Sequence, residues 1–239
     1  MDHPAPRDYY LHHYTPKFEY LQAALREGIW PRYVEEDLSE ILGGLGQPIW
    51  LGCPMVCFTD MNPKSAHSHR ARYGDYALVV SKDFARKADI QPLIYLLGDG
   101  RLAREIRART RPNQGRVDLS SENPFSVLLP FVKVTPGSQR MREPGREETW
   151  EVLGLEEELE WRYVPGALPI KDSGGHGRIT QADQDLAARH KLVIPEVYLE
   201  SVVVTSQAEA VEIFREFRHL REKIVIRQHD GSVQRAQFR

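Results

Sequence analysis

The sequence predicts an α+β fold: a split, mainly antiparallel β-sheet core with flanking helices. Two observations predict it. Short β-branched and aromatic runs recur along the chain, and helical periodicities fall between them at irregular intervals. The two do not alternate as regular strand–helix–strand units, which disfavours a parallel sheet. With no internal repeat and no linker-like composition shift, residues 1–239 read as one domain, with a polar Arg-rich insertion over 98–124.

Taken in order, residues 9–15 (YYLHHYT) read as a short aromatic strand. Phe18, Leu21 and Leu25 lie at helical spacing between Lys17 and Glu27, and Gly28 stands where a helix C-cap belongs. Ile29 to Tyr33 is extended, because Pro31 bars helix at Trp30. Residues 48–60 are apolar, with a buried strand at Met55 to Phe58. Asn62 to Tyr73 has the capping chemistry and small residues of a helix. Tyr76 to Val80 is a second buried strand, Lys82 to Lys87 a short helix and Leu93 to Leu97 a strand. Phe125 to Val134 is apolar and strand-like. Residues 136–149 carry Pro136, Gly137, Pro144 and Gly145 and read as a loop, and Glu147 to Glu158 as a short acidic helix. A strand follows at 158–165, then a glycine-rich stretch at 167–178 and a helix from Thr180 to His190. Leu199 to Val204 is strongly β-branched. Val211, Phe214, Phe217 and Leu220 mark a helix over Gln207 to Glu222, and Ile224 to Arg227 is a strand.

Composition narrows the function classes. Hydrophobic residues make up 41% and charged residues 28%, which excludes wholesale disorder. A formal net charge of −2 argues against a strongly basic nucleic-acid binder. Arg101, Arg104, Arg107, Arg109, Arg111 and Arg116 nevertheless gather in one stretch. They form either a solvated helix face or an anion- or nucleic-acid-facing insertion. No run of 18 apolar residues is present and the first residues lack the apolar core of an export signal, so a cytoplasmic protein with no membrane partner is expected. Cys53 and Cys57 form a lone C-x3-C pair, too few ligands for zinc, and read as ordinary buried thiols with no metal. His67 and His69 are two apart, do not share a helix face and read as surface residues.

No phosphate-binding glycine loop, zinc-protease helix or nucleophile elbow is present. Three segments are unusual: LHHYT at Leu11 to Thr15, MVCFTD at Met55 to Asp60 followed by YGDYALVV, and ELEWRYVP at Glu158 to Pro165. Together they resemble the AbiGi family of bacterial abortive-infection proteins, over about Leu11 to Thr205. The resemblance implies an antitoxin-type component of a phage-defence system, with a cognate toxin as partner.

A second resemblance is to the ADP-ribosyltransferase superfamily. His13-Tyr14-Thr15 is similar to its first-strand H-x-T. Phe58-Thr59-Asp60 and the following Lys64-Ser65-Ala66 are similar to its middle motif, with Phe58 where a tyrosine is usual. Glu158-Leu159-Glu160 is similar to its late E-x-E. The resemblance implies an ADP-ribosyltransferase-like sheet with NAD as cofactor. Glu160 would stabilise the oxocarbenium-like charge, and Glu158 would serve a macromolecular ADP-ribose acceptor. His13, Tyr14, Thr15, Phe58 and Arg162 would bind the cofactor.

On a strand, Glu158, Glu160 and Arg162 share one face and Trp161 and Tyr163 the other. Either Arg162 keeps Glu160 ionised for a site, or the charges form a surface ion pair while the aromatics fill the core. The isosteric Glu160→Gln exchange is expected to leave folding intact. Two readings stay open: a non-catalytic defence component that restrains a toxin, and an enzyme using NAD through His13, Phe58 and Glu160.

Overall fold

A computed structural model describes residues 10–43, 49–60, 67–98, 100–111, 116–120, 122–135, 137–141, 149–153, 159–172 and 179–238. The early strands are β1 (Tyr10–Thr15), β2 (Arg32–Asp37), β3 (Trp50–Thr59), β4 (Tyr76–Ser81), β5 (Gln91–Pro92), β6 (Ile94–Leu96) and β7 (Val132–Val134). The later ones are β8 (Gly137–Met141), β9 (Thr149–Leu153), β10 (Glu160–Tyr163), β11 (Lys171–Asp172), β12 (Leu199–Val204), β13 (Ile224–Arg227) and β14 (Val233–Arg235). The helices are α1 (Phe18–Glu27), α2 (Ser39–Leu42), α3 (His67–Tyr73), α4 (Lys82–Ala88), α5 (Arg101–Thr110), α6 (Gln181–Ala187) and α7 (Gln207–Glu216). The class is therefore mixed α and β. The strand pairings whose register is described are antiparallel except β12 with β13 and β6 with β7.

The chain divides into two compact units. The first holds residues 1–30, 56–91 and 191–239. Its strands run in the order β14, β13, β12, β4, β1, with the last residues of β3 beside β1. β1 pairs with β4 along its whole length, Tyr10 opposite Ser81 and Thr15 opposite Tyr76. β12 lies on the other edge of β4, with Val202 opposite Leu78, and parallel to β13, with Val202 opposite Ile224. A parallel pair needs a crossover, and α7 supplies it. Ser206 and Glu209 close a capping box at its start, satisfying two otherwise orphaned donors. Ala210 and Ile213 bury its apolar stripe. The helix expected to reach Glu222 stops at Glu216, because Phe217 is non-helical at φ −119° and ψ 66° and a 3-10 segment follows.

The second unit holds residues 31–55 and 92–190. β3 is flanked there by β2 on one side, Glu36 opposite Leu51, and by β11 on the other, Asp172 opposite Leu51. Its core gathers Leu38, Ile41 and Leu42 around α2, Leu51, Cys53 and Met55 from β3, Ala103 and Ile106 from α5, and Leu129, Val132 and Val134. Arg107 of α5 donates from Nε to the Ile41 carbonyl at 2.9 Å and from Nη2 to that of Glu40 at 2.9 Å, and Arg111 reaches the Gly43 carbonyl. These arginines satisfy the last carbonyls of α2, which a four-residue helix leaves without partners. Arg109 is held by Glu105 at 3.4 Å and lies over Phe125.

Three expectations change here. Phe125 to Val134 is not one strand: Ser126–Phe131 is a 3-10 segment and only Val132–Val134 is strand. Pro130 has no N–H for a ladder, which favours that break. In the stretch read as a loop and then an acidic helix, Gly137–Met141 and Thr149–Leu153 are instead the antiparallel pair β8 and β9, Gly137 opposite Leu153 and Met141 opposite Thr149; residues 142–148 and 154–158 lie outside the described residues. Cys57 is exposed, whereas Cys53 is buried as expected and its thiol is pushed up to about 12 by burial.

Candidate functional site

The residues singled out by sequence fall in two places, each built by strand alternation. In the first unit, successive residues of β1 point to opposite faces. His13 meets Phe58 across 5.6 Å, and its Nδ1 donates to the Cys57 carbonyl at 2.9 Å. Burial pushes the His13 imidazole below its ordinary range, and the carbonyl bond opposes that. Phe58 and Thr15 are buried.

Tyr14 takes the other face. Its ring stacks with His12 at 6.0 Å, meets His69 edge-on at 5.3 Å, and lies under the Arg227 guanidinium at 5.5 Å. His69 continues to Tyr73 at 4.4 Å. The expectation that His69 is a surface residue therefore changes: it is half-buried in a ring cluster. The sequence reading passed over His12, which is buried, and Arg227; the signal was an arginine closing the apolar run Ile224-Val225-Ile226.

His12 is depressed to about 4, by burial first, then by the charge of Arg227 and by His69. A histidine whose folded pKa lies below its unfolded 6.5 contributes stability that is fully present above pH 6.5 and lost as pH falls toward 4. Between pH 7.5 and pH 5 this amounts to about 2 kcal/mol. Urea unfolding in chloride buffer at the two pH values is expected to show that loss in the wild type and to lose about 2 kcal/mol less in His12→Phe, which keeps a ring and cannot titrate. Equal losses in both proteins contradict the assignment.

In the second unit, β10 turns its charged face inward. Glu160 and Arg162 are buried, and Trp161 and Tyr163 only partly so. Leu159 enters the strand at φ 45°, left-handed for a non-glycine residue, and is exposed. The charges are an ion pair, but an interior one, and the alternative with aromatics filling the core is reversed. Arg162 is 0% exposed. Its Nε donates to Glu160 Oε1 at 2.7 Å, its Nη2 to Glu36 Oε1 at 2.8 Å and its Nη1 to the Pro130 carbonyl at 2.5 Å. Lys133 Nζ takes the second oxygen of Glu160 at 2.7 Å. Two carboxylates and two cations thus meet in the interior. Burial alone would raise the Glu160 carboxyl, but Arg162 and Lys133 outweigh it and hold the group well below the usual carboxylate range.

Lys133 and Glu36 were missed by sequence reasoning. The lysine did leave a signal, a single charge between Val132 and Val134 in an apolar run. Glu158, Lys64, Ser65 and Ala66 lie outside the described residues. Among the described residues, no group of three or more His, Cys, Asp or Glu could hold a metal ion, and no helix is long and apolar enough to cross a membrane.

A protein-family model described as "Putative abortive phage resistance protein AbiGi, antitoxin" matches residues 27–193, more than half of the chain. The chain belongs to the AbiGi family. The match takes in the Glu160–Arg162 network and starts after β1. No curated protein and no solved structure matches the chain.

Proposed function

We propose that this AbiGi-family chain is the antitoxin of an abortive-infection pair and restrains a cognate toxin by direct contact, without turning over NAD. One observation carries the reading. Both oxygens of Glu160, the carboxylate that NAD cleavage would need, are taken by Arg162 and Lys133 inside a buried network. A carboxylate so compensated offers little field to a developing oxocarbenium charge. That donor set does not fit the ribose of NAD, so no catalytic step or ADP-ribose acceptor is assigned to it. Arg107 and Arg111 are likewise committed to carbonyls of the second unit, which argues against their use by a nucleic-acid partner.

Exposed apolar side chains in the first unit suit a protein partner. Val193 and Val197 are 64% and 74% exposed, in a segment that also carries Pro195. Trp30, 43% exposed, lies under Lys191 at 5.0 Å.

The test is incubation of the pure protein with labelled NAD, with and without cell extract. Neither nicotinamide release nor label transfer is expected, and Glu160→Gln is expected to lower the unfolding temperature. Nicotinamide release by the wild type that drops about 10²–10³-fold in Glu160→Gln overturns the proposal in favour of the enzyme that uses His13, Phe58 and Glu160.

A further inference from the structure

We infer that the outer edge of β14 in the first unit takes an extended, acidic segment of a partner protein as an added strand. The inference goes beyond the antitoxin reading and does not depend on it. β14 is the last strand on its side of the sheet, and among the described residues no strand pairs with its outer edge. The hydrogen bonds around β13 show which residues face that edge. The Ser232 carbonyl accepts from Gln228 N at 2.8 Å, and Ala236 N donates to the Ile224 carbonyl at 3.2 Å. Positions 232, 234 and 236 therefore point inward, and the N–H and C=O groups of Val233 and Arg235 point outward. All three residues of β14 are exposed, Val233 at 46%.

One step further along, the same edge already receives an amide. Gln207, the first residue of α7, donates from Nε2 to the Gln237 carbonyl at 2.6 Å, and its Oε1 accepts from Gln237 N at 3.2 Å. Gln237 is the next outward position after Val233 and Arg235 in the alternation. The side-chain carboxamide makes there the donor-and-acceptor pair of bonds that a residue of an added strand would make. The edge is thus open at two positions and closed at the third by a peptide-like group. Strand edges left open in this way are templates for another chain, and main-chain bonds give such complexes their affinity.

Charge decides which kind of strand fits. Arg235 is the one charged side chain of β14. Its partner is Glu222 at 2.9 Å, and the two side chains are 77% and 73% exposed. A pair so exposed is worth little, so a glutamate on an incoming strand can replace Glu222 without leaving a buried charge behind. Residues 218–238 hold five Arg and Lys against two Asp and Glu, in a chain whose net charge is −2. The field at this end of the sheet therefore favours an acidic segment. A second copy of this chain fits worse. It would bring Arg235 and its basic surroundings against themselves, and like charges across a ladder destabilise it.

The test uses end-blocked, fluorescein-labelled heptapeptides of alternating valine and glutamate as probes on the full chain. A second probe has lysine in place of glutamate, and a third is the glutamate peptide N-methylated at every amide. Fluorescence anisotropy is expected to show saturable binding of the glutamate peptide that weakens as salt rises, and far weaker binding of the other two. Arg235→Gln removes only the charge, whereas Arg235→Pro also removes one outward N–H and leaves the bonds to β13 in place. Arg235→Pro is expected to bind about three- to tenfold more weakly than Arg235→Gln, the worth of one backbone hydrogen bond. Circular dichroism confirms that each variant is folded before titration. Amide exchange read by NMR on the wild type needs no variant: the Val233 and Arg235 amides should slow when the glutamate peptide binds, and that of Gln234 should change least. No binding of the glutamate peptide, equal binding of the lysine or the N-methylated peptide, or no slowing at Val233 and Arg235 overturns the assignment. Self-association of the wild type that Arg235→Pro abolishes, with no peptide bound, overturns it in favour of a second copy.

Discussion

Arg162→Leu is expected to destabilise the protein by about 3–5 kcal/mol, the cost of removing one partner from a buried ion network. The side chain is fully buried and serves Glu160, Glu36 and the Pro130 carbonyl at once. Without it, Glu160 and Glu36 each lose the bond they accept from the guanidinium. For a chain of this size such a loss lowers the unfolding temperature on the order of 10 °C. Arg162→Lys is not a rescue, because one ammonium cannot reproduce three donor directions held by a planar fork. Simultaneous replacement of Glu160, Arg162 and Lys133 by apolar residues of similar volume is expected to recover part of the loss, since much of the penalty lies in the charges left behind. Thermal and urea unfolding of the single and triple variants measures both. A single-variant cost below about 1 kcal/mol, the range of exposed pairs, contradicts an interior network. The same argument revises the expectation that Glu160→Gln is silent for folding: preserving shape does not preserve the countercharge of two buried cations.

The second large effect is expected at the turn between α3 and β4. Gly74 sits at φ +103°, and a Cβ there would stand 2.3 Å from Pro16 Cα and 2.4 Å from the Thr15 carbonyl oxygen. Those atoms are backbone at the end of β1, and β1 is held along its length by β4. Gly74→Ala therefore adds conformational strain to a clash that no side-chain rotation relieves, and about 4 kcal/mol is expected, in the class of strained backbone and overpacked sites. The segment Tyr73-Gly74-Asp75 is thereby a structural turn. Equilibrium unfolding of Gly74→Ala is the check, and a loss under about 1 kcal/mol would show that the turn adapts.

The strands of the first unit were legible because their signals are local. β1, β4, β12 and β13 are short β-branched or aromatic runs, and α1 shows its period and its terminal glycine within eleven residues. The departures depend on partners far along the chain. Whether the aromatic or the charged face of β10 turns inward depends on Lys133 and Glu36, 27 and 124 residues earlier. An Arg and a Glu two apart on a strand carry no information about that. The pair β8–β9 was hidden by proline and glycine, which mark a turn but do not say how much strand flanks it. The break at Pro130 was locally legible and was outweighed by the apolar run around it. Of the site residues, His13, Thr15 and Phe58 lie where strand alternation places them, while Tyr14 joins His12 on the opposite face.

The central claim is that this chain acts by binding and not by turnover. The direct test is a titration of the purified cognate toxin's activity with increasing amounts of this protein, in the absence and presence of NAD. Restraint by contact predicts that toxin activity falls linearly to a sharp break at a fixed molar ratio, identical with and without NAD, and that a complex of that ratio is recovered by size-exclusion chromatography. Complete inactivation at a small fraction of one equivalent, growing with time and only when NAD is present, would contradict it.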